Sequence, residues 1–241
     1  LALGETPARE TIREGAIWLL DLQNRDGGWP TFCRGWRKLP FDQSCPDLTA
    51  HAMSAVALAT VGQDEPTRAR IDAAIERGLA YLHAAQRPDG AWVPLWFGNQ
   101  RSQTKVNPVF GTARVLSGLA DLAGGMSGEA SVMAAAGLGW MLSVRDANGA
   151  WGGDDGLPPS IEETAAAVEA LGALHAAGFC DEGIGEEVRP AVAWLVDQTR
   201  RGTRFKPAPI GLYFARLWYH EALYPAIFTV AALRAVRPLI P

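Results

Sequence analysis

Asp47 and His51 are the two residues in this chain of 241 whose types and spacing could do chemistry together. They stand four positions apart in a segment that begins with Pro46 and is predicted to be a helix, so both side chains would lie on one helix face. The Asp47 carboxylate could orient the His51 ring there and keep it cationic, an arrangement suited to proton transfer. The structural alternative is a helix-terminal acid followed by a core histidine.

A pair of aromatic residues eleven positions apart recurs along the chain. The pairs are Trp18 and Trp29, Tyr81 and Trp92, Trp140 and Trp151, and Trp194 and Phe205. Gln23 and Gln86 share one internal position, and a glycine stands two residues before the closing tryptophan in the first three copies. This spacing predicts an array of similar supersecondary units. We interpret each unit as a clamp whose glutamine satisfies helix-end groups and whose tryptophan covers the turn. The alternative is one binding pocket per repeat.

Apolar residues at helical spacing predict four pairs of helices. The predicted pairs are 8–23 with 46–61, 66–86 with 107–123, 129–144 with 160–177, and 186–199 with 211–236, in repeats of about 8–62, 66–123, 129–177 and 186–236. The second helix of each pair is rich in Ala, Gly and Leu nearly all round, so we expect it to line an interior. Thr49, Thr112 and Thr164, each followed by alanine, would let neighbouring helices approach closely. No segment alternates like a strand, and the predicted fold is an all-α α/α toroid of helical hairpins.

The composition narrows the classes of function. A formal net charge of −4 and scattered Lys and Arg residues give no basic stripe for nucleic acid. Three cysteines without Cys-x-x-Cys spacing predict neither a disulfide framework nor a zinc ribbon, and a reducing cytoplasm fits them best. No apolar run reaches the ~20 residues of a membrane span. The chain begins at Leu1 without a basic and then apolar leader, so no signal peptide is expected. Because the initiator Met is absent, we expect a processed or excised piece of a longer protein.

Three repeat units, WLLDLQNRDGGW, YLHAAQRPDGAW and WMLSVRDANGAW, resemble the QW motifs of class II triterpene cyclases. The segment CPDLTAHAM and the aromatic-rich ending from GTRF onward resemble the C-terminal region of squalene–hopene cyclases, and the resemblance covers essentially the whole chain. It implies an α/α barrel of six hairpins around an apolar cavity, of which four would be present here. It also implies an isomerase that starts a cationic polycyclisation of squalene or a related polyprenoid by protonation, giving a hopanoid-type triterpene without metal or cofactor.

The resemblance assigns roles to individual residues. It implies that Asp47 and His51 hydrogen-bond and poise the protonated acid of an Asp-x-Asp-Asp motif. This motif is absent from the 241 residues, and Asp154–Asp155 is interpreted as a solvated turn, so we expect a C-terminal portion that is inactive alone. Positions that match the cavity lining of relatives are Phe32, Phe41, Trp96, Phe205, Tyr213, Leu217 and His220, the last two departing from common aromatics. The structural set is Trp18, Gln23, Trp29, Tyr81, Gln86, Trp92, Trp140 and Trp151.

Three classes of function are open. The first is the cyclase portion, whose partners would be a polyprenoid such as squalene and the missing N-terminal portion, with a homodimer as a further arrangement. The resemblance places such a protein on the cytoplasmic side of a membrane, attached peripherally. The second is a non-catalytic toroid that serves as a binding or assembly module. The third is a protein prenyltransferase β-like subunit, which would bind zinc, but the histidines and cysteines form no recognisable ligand cluster and no metal is expected.

Overall fold

The computed structural model describes residues 6–31, 33, 42–122, 128–181, 183–212 and 217–240, which fall into two compact units, 1–85 and 86–241. The elements in chain order are α1 (Thr6–Leu22), α2 (Pro46–Leu58), α3 (Glu65–Ala85), α4 (Pro108–Asp121), α5 (Gly128–Ser143), α6 (Ile161–Ala176), α7 (Ile184–Gln198), β1 (Pro209–Leu212), β2 (Leu217–His220), α8 (Tyr224–Val236) and a 3₁₀ turn, Arg237–Leu239. None of these helices is both long and apolar enough to cross a lipid bilayer.

The first unit is built around α2. This helix packs against both α1 and α3, and α1 also contacts α3. Proline at the first position of α2 suits a helix start, and Asp47 follows in the first turn, where the helix dipole favours a carboxylate. Met53 and Val56 of α2 and Ile71 of α3 are fully buried, so they form the apolar centre of this unit.

The second unit is built around α6. This helix packs against α4 and α8 and also contacts α7, while α5 packs against α4. Residues 161–168 of α6 are all buried. By these contacts α4, α6 and α8 form an inner layer and α5 and α7 an outer one. Burial on most sides confirms the predicted interior role for α4 and α6. The prediction does not hold for α8, which is buried on one face only and leaves Ile227 and Val230 exposed.

A threonine hydroxyl anchors the closing tryptophan of each of the first three repeats. The tryptophan backbone N–H donates to the threonine Oγ1 at 2.9 Å from Trp29 to Thr49, 2.9 Å from Trp92 to Thr112, and 3.0 Å from Trp151 to Thr164. All three threonines are fully buried. Their recurrence therefore has a second physical reason besides small size, since each hydroxyl satisfies a backbone donor that would otherwise be buried without a partner.

The glutamines of the repeat tie one hairpin to the next, as predicted. The Gln23 amide donates to the carbonyl oxygens of Gly27 in its own turn and Ala74 in α3, each at 2.8 Å. The Gln86 amide donates in the same way to the carbonyl oxygen of Met133 in α5, at 3.0 Å. Each amide therefore satisfies carbonyls of both hairpins that meet at the turn.

Arginine replaces this glutamine in the third repeat and keeps the connection. Arg145 donates to the carbonyl oxygen of Glu187 in α7 at 2.8 Å and forms an ion pair with the Glu187 carboxylate at 2.6 Å. The opening aromatics are less uniform, because Trp140 is buried, Tyr81 is half-buried and Trp18 is 58% exposed. The clamp is thus formed by the closing half of the unit, and Trp18 does not belong to its buried part.

The predicted helix over 211–236 is wrong in its first half. The segment instead forms a two-stranded antiparallel hairpin, in which Pro209 pairs with His220 and Leu212 with Leu217, and α8 begins only at Tyr224. The absence of strands was likewise a wrong expectation. Proline is tolerated at the first residue of a strand and in the first turn of a helix, which fits Pro209 and Pro225. The aromatic run of β2 also suits a strand better than a helix.

Candidate functional site

A small pocket, partly open to solvent, lies in the second unit where α4, α6 and α8 begin. Side-chain caps fix two of these starts. Asn107 Oδ1 accepts the Phe110 N–H at the start of α4, at 3.0 Å, and Ser160 Oγ accepts the Glu163 N–H at the start of α6, at 3.2 Å. The caps hold Phe110 and Glu163 at the pocket, and Tyr224 joins them from the first turn of α8.

Four aromatic rings form the apolar wall of the pocket. Phe97 stacks on Phe110 with ring centroids 4.2 Å apart, Phe110 lies 6.4 Å from Phe228, and Tyr224 stacks on Phe228 at 5.3 Å. The separations of 5.3 and 6.4 Å lie within the range of about 4.5–7 Å that favourable aromatic pairs prefer, and the Phe97–Phe110 stack is slightly closer. The wall therefore presents connected ring faces from the loop before α4, from α4 itself and from α8.

Glu162 contributes a buried carboxyl group to this wall. The side chain is only 6% exposed, and its Oε1 accepts the Ala208 N–H at 2.6 Å. Its Oε2 has no hydrogen-bond partner in the part of the chain that the structure describes. Burial raises the pKa of Glu162 to about 7 from its ordinary value of 4.5, with the nearby Glu163 adding to the rise and the Ala208 N–H opposing it. This carboxyl group therefore exchanges its proton near neutral pH.

Glu163 lies deeper and is held by two amides. Its Oε1 accepts hydrogen bonds from the side chains of Asn99 and Asn107, each at 3.0 Å. Burial nevertheless raises the pKa of Glu163, because the desolvation outweighs these amide donors. Its Oε2 is buried without a partner among the described residues, as is that of its neighbour Glu162. The pocket thus combines aromatic faces with two unpaired carboxyl oxygens.

A guanidinium group contacts two rings of the aromatic wall. The central carbon of Arg114 is 5.7 Å from the ring centroid of Phe110 and 5.5 Å from that of Phe228. Arg114 also forms an ion pair with Glu169 of α6 at 2.6 Å. These distances are typical of cation–π contacts, so the two rings already interact with a positive charge.

Residues 2–237 match the family model described as the squalene-hopene cyclase C-terminal domain. The chain belongs to this family. It is 28% identical to a squalene–hopene cyclase from Bradyrhizobium diazoefficiens over 98% of its own length and 36% of that protein. It is also 28% identical to a drimenyl diphosphate synthase from Streptomyces showdoensis over 93% of its length and 37% of that protein. The chain thus spans little more than a third of these relatives, and the family resemblance inferred from its sequence is confirmed.

A solved structure supports the fold. The ent-copalyl diphosphate synthase from Streptomyces platensis superposes with a TM-score of 0.67 at 22% identity, covering 90% of this chain and 37% of that one. At 22% identity the similarity supports the fold and no statement about function. It confirms the predicted all-α, α/α toroid class of the terpene cyclases.

The predicted catalytic pair of this cyclase-family chain lies on α2 in the first unit. Asp47 is buried and accepts a hydrogen bond from the Cys45 thiol at 2.6 Å, whereas His51, one turn later, is exposed. The exposed histidine does not fit the alternative of a core residue. Their role as partners of a protonated acid stays a prediction.

The structure places the predicted cavity residues of this family member unevenly. Trp96 is buried directly before Phe97, which is the pocket residue, and Phe205 is half-buried three positions before Ala208. Leu217 and His220 are exposed at the two ends of β2. The other three predicted positions, Phe32, Phe41 and Tyr213, lie outside the described residues or their side chains.

Sequence reasoning missed Glu162 as a site residue although the repeat contains a signal for it. Asp47 stands two positions before the anchoring Thr49, and Glu162 stands two positions before the equivalent Thr164. The repeat register therefore makes the two carboxyl groups equivalent in position. In α4 the anchoring threonine is Thr112. The residue two positions before it is Phe110, which also lines the pocket.

Proposed function

We propose that this chain forms part of the catalytic cavity of a class II terpene cyclase that acts on squalene or a related polyprenoid. The reaction would be a proton-initiated cationic polycyclisation to a hopanoid-type product, without metal or cofactor. The observation that carries the proposal is the pocket at the inner helix starts, with its four connected rings. A hydrocarbon cation has no hydrogen bond to offer, so ring faces are the groups that stabilise it, each by about 0.5–2 kcal/mol.

The starting acid of this reaction would come from outside the 241 residues, since they contain no Asp-x-Asp-Asp sequence. Asp47 and His51 would position and poise that acid. Such an acid must be strong enough to protonate an alkene, and a cationic partner beside it raises the acidity of its proton. The exposed position of His51 on α2 would leave the ring accessible to a group supplied by a preceding segment.

The absence of an Asp-x-Asp-Asp sequence from these 241 residues favours a second candidate, a module that binds a polyprenoid without converting it. The two candidates differ in one measurement. The cyclase proposal expects that the chain joined to an acid-bearing segment forms cyclic product, whereas the binding module expects that the substrate is recovered unchanged.

The test uses the purified chain with squalene presented in detergent micelles. Quenching of tryptophan fluorescence measures binding, and gas chromatography with mass spectrometry measures product. We expect squalene to bind and to be recovered uncyclised. Failure to bind squalene or any other polyprenoid would refute the proposal. Hopene formed by these residues alone would show that the acid lies within them.

A further inference from the structure

The pocket contains hydrogen-bonding capacity that a hydrocarbon cannot use. The Ala208 N–H and two asparagine amides occupy Oε1 of Glu162 and of Glu163, which leaves Oε2 of both groups unpaired within the described ranges. The two side chains are only 6% and 4% exposed. A buried carboxyl oxygen without a partner is costly, so a group that supplies positive charge would be favoured over a neutral one.

The aromatic wall points to the same kind of ligand. Its members Phe110 and Phe228 already make cation–π contacts with Arg114, whose charge is balanced by Glu169. Both rings also line the pocket, together with the two carboxyl groups. A carbon-rich cation in the pocket would meet ring faces and a counter-charge together, which is the combination that recognises alkylammonium ions.

We propose that the pocket at the starts of α4, α6 and α8 binds an organic cation, with Glu162 as its counter-charge and Glu163 as the carboxyl group that positions it. The inference rests on the proposed function, in which the bound cation is a carbocation formed from the polyprenoid. It goes further because it assigns to the Glu162 carboxylate the full negative charge that balances the cation, which aromatic rings do not supply. A quaternary alkylammonium ion is a stable mimic of that cation.

The other charged and titratable groups around Glu162 come from each neighbouring element. Glu163 lies beside it on α6, and Arg101 in the loop before α4 interacts electrostatically with Glu163. Helix α4 contributes Arg114, and α8 contributes the Tyr224 hydroxyl. The segment before β1 presents a backbone N–H to the carboxyl group. Arg114 is paired with Glu169, whereas Arg101 acts on Glu163 and favours its ionised form.

The experiment measures binding of hexyltrimethylammonium by titration calorimetry to the full chain. The control ligand is its neutral twin, in which a quaternary carbon replaces the nitrogen, supplied as a cyclodextrin complex. Proton release and cation binding are linked, so we expect the ammonium ion to bind about tenfold more tightly at about pH 8.5 than at about pH 5.5. The neutral twin should bind equally at both.

Two glutamine variants assign the effect to one carboxyl group. Glu162→Gln should remove the pH dependence of ammonium binding while the neutral twin still binds, which shows that the pocket is intact. Glu186→Gln makes the same change in charge on the exposed face of α7 and should leave the pH dependence as in the unmodified protein.

The outcomes separate this inference from the proposed function. Equal binding of the ammonium ion and its neutral twin at both pH values would overturn the counter-charge and leave the hydrocarbon site standing. A pH dependence that survives Glu162→Gln would also overturn it. If neither ligand binds, the pocket is not a site for carbon-rich molecules, and both proposals fail.

Discussion

Replacing Glu162 with glutamine should change how the stability of this protein depends on pH. The folded-state pKa of Glu162 is about 7, whereas its ordinary value, which we take for the unfolded chain, is 4.5. Between these values the folded chain holds a proton that the unfolded chain has released. The free energy of unfolding therefore falls as the pH rises from about 4.5 to about 7, and it stays at the lower level above pH 7.

The size of this fall follows from the distance between the two pKa values. A separation of 4.5 from about 7 corresponds to about 3 kcal/mol, at ~1.4 kcal/mol for each pH unit. Glutamine keeps an oxygen that can accept the Ala208 N–H but cannot ionise. The variant should therefore not show this fall of about 3 kcal/mol. Measured against the unmodified protein, its free energy of unfolding should rise by the same amount, about 3 kcal/mol, between pH ~4.5 and pH ~8.

Urea unfolding followed by circular dichroism at several pH values measures this quantity. The two proteins are compared by the slope of the free energy of unfolding against pH. This slope does not depend on the constant cost of burying the new amide. Glu186→Gln, an exposed change of equal charge, should leave the slope unchanged. A Glu162→Gln variant with the same pH slope as the unmodified protein would show that this carboxyl group does not hold a proton near neutral pH.

The packing of the repeat gives two further predictions. Gly137→Ala would place a methyl group 2.7 Å from the Trp92 ring and should destabilise the protein by about 1–3 kcal/mol in urea unfolding, whereas Gly139→Ala on the same helix meets nothing within 4 Å and should stabilise it by up to about 1 kcal/mol. Equal effects of the two changes would contradict the predicted contact. Thr164→Val should cost about 1–3 kcal/mol because it leaves the Trp151 N–H buried without its acceptor, and Thr164→Ser should recover most of this loss. A serine variant as unstable as the valine one would refute the hydroxyl anchor.

The helical hairpins could be predicted because their evidence is local. Each helix carries its apolar face in a fixed period, and each closing tryptophan marks the turn that follows. The hairpin of β1 and β2 could not be predicted in the same way. The run that contains β2 is so rich in apolar and aromatic residues that a buried helix and a strand give the same pattern. Pro209 and Pro225 were the available signals that the helix begins late.

The candidate site could be predicted only in part, since burial is a property of the packed chain. An acidic residue in the first turn of a helix is sufficiently explained by the helix dipole, so Glu162 gives no signal by itself. It becomes a site residue because α4 and α8 both pack against α6 and remove its carboxyl group from water. Phe97 was missed for a related reason, because Trp96 beside it is the larger ring and nothing local shows which one faces the pocket.

The repeat register explains why these positions are chemically variable while the fold is constant. The threonine hydroxyl and the closing tryptophan fix the start of each inner helix through backbone groups, which do not depend on the residue two positions earlier. That earlier position is therefore free to be Asp47 in α2, Phe110 in α4 and Glu162 in α6. A change of charge there leaves the hydrogen bonds that build the hairpin unaltered. This separation predicts that a change of charge at Glu162 leaves the Thr164 anchor in place, so that amide hydrogen exchange at Trp151 is unaltered in Glu162→Gln.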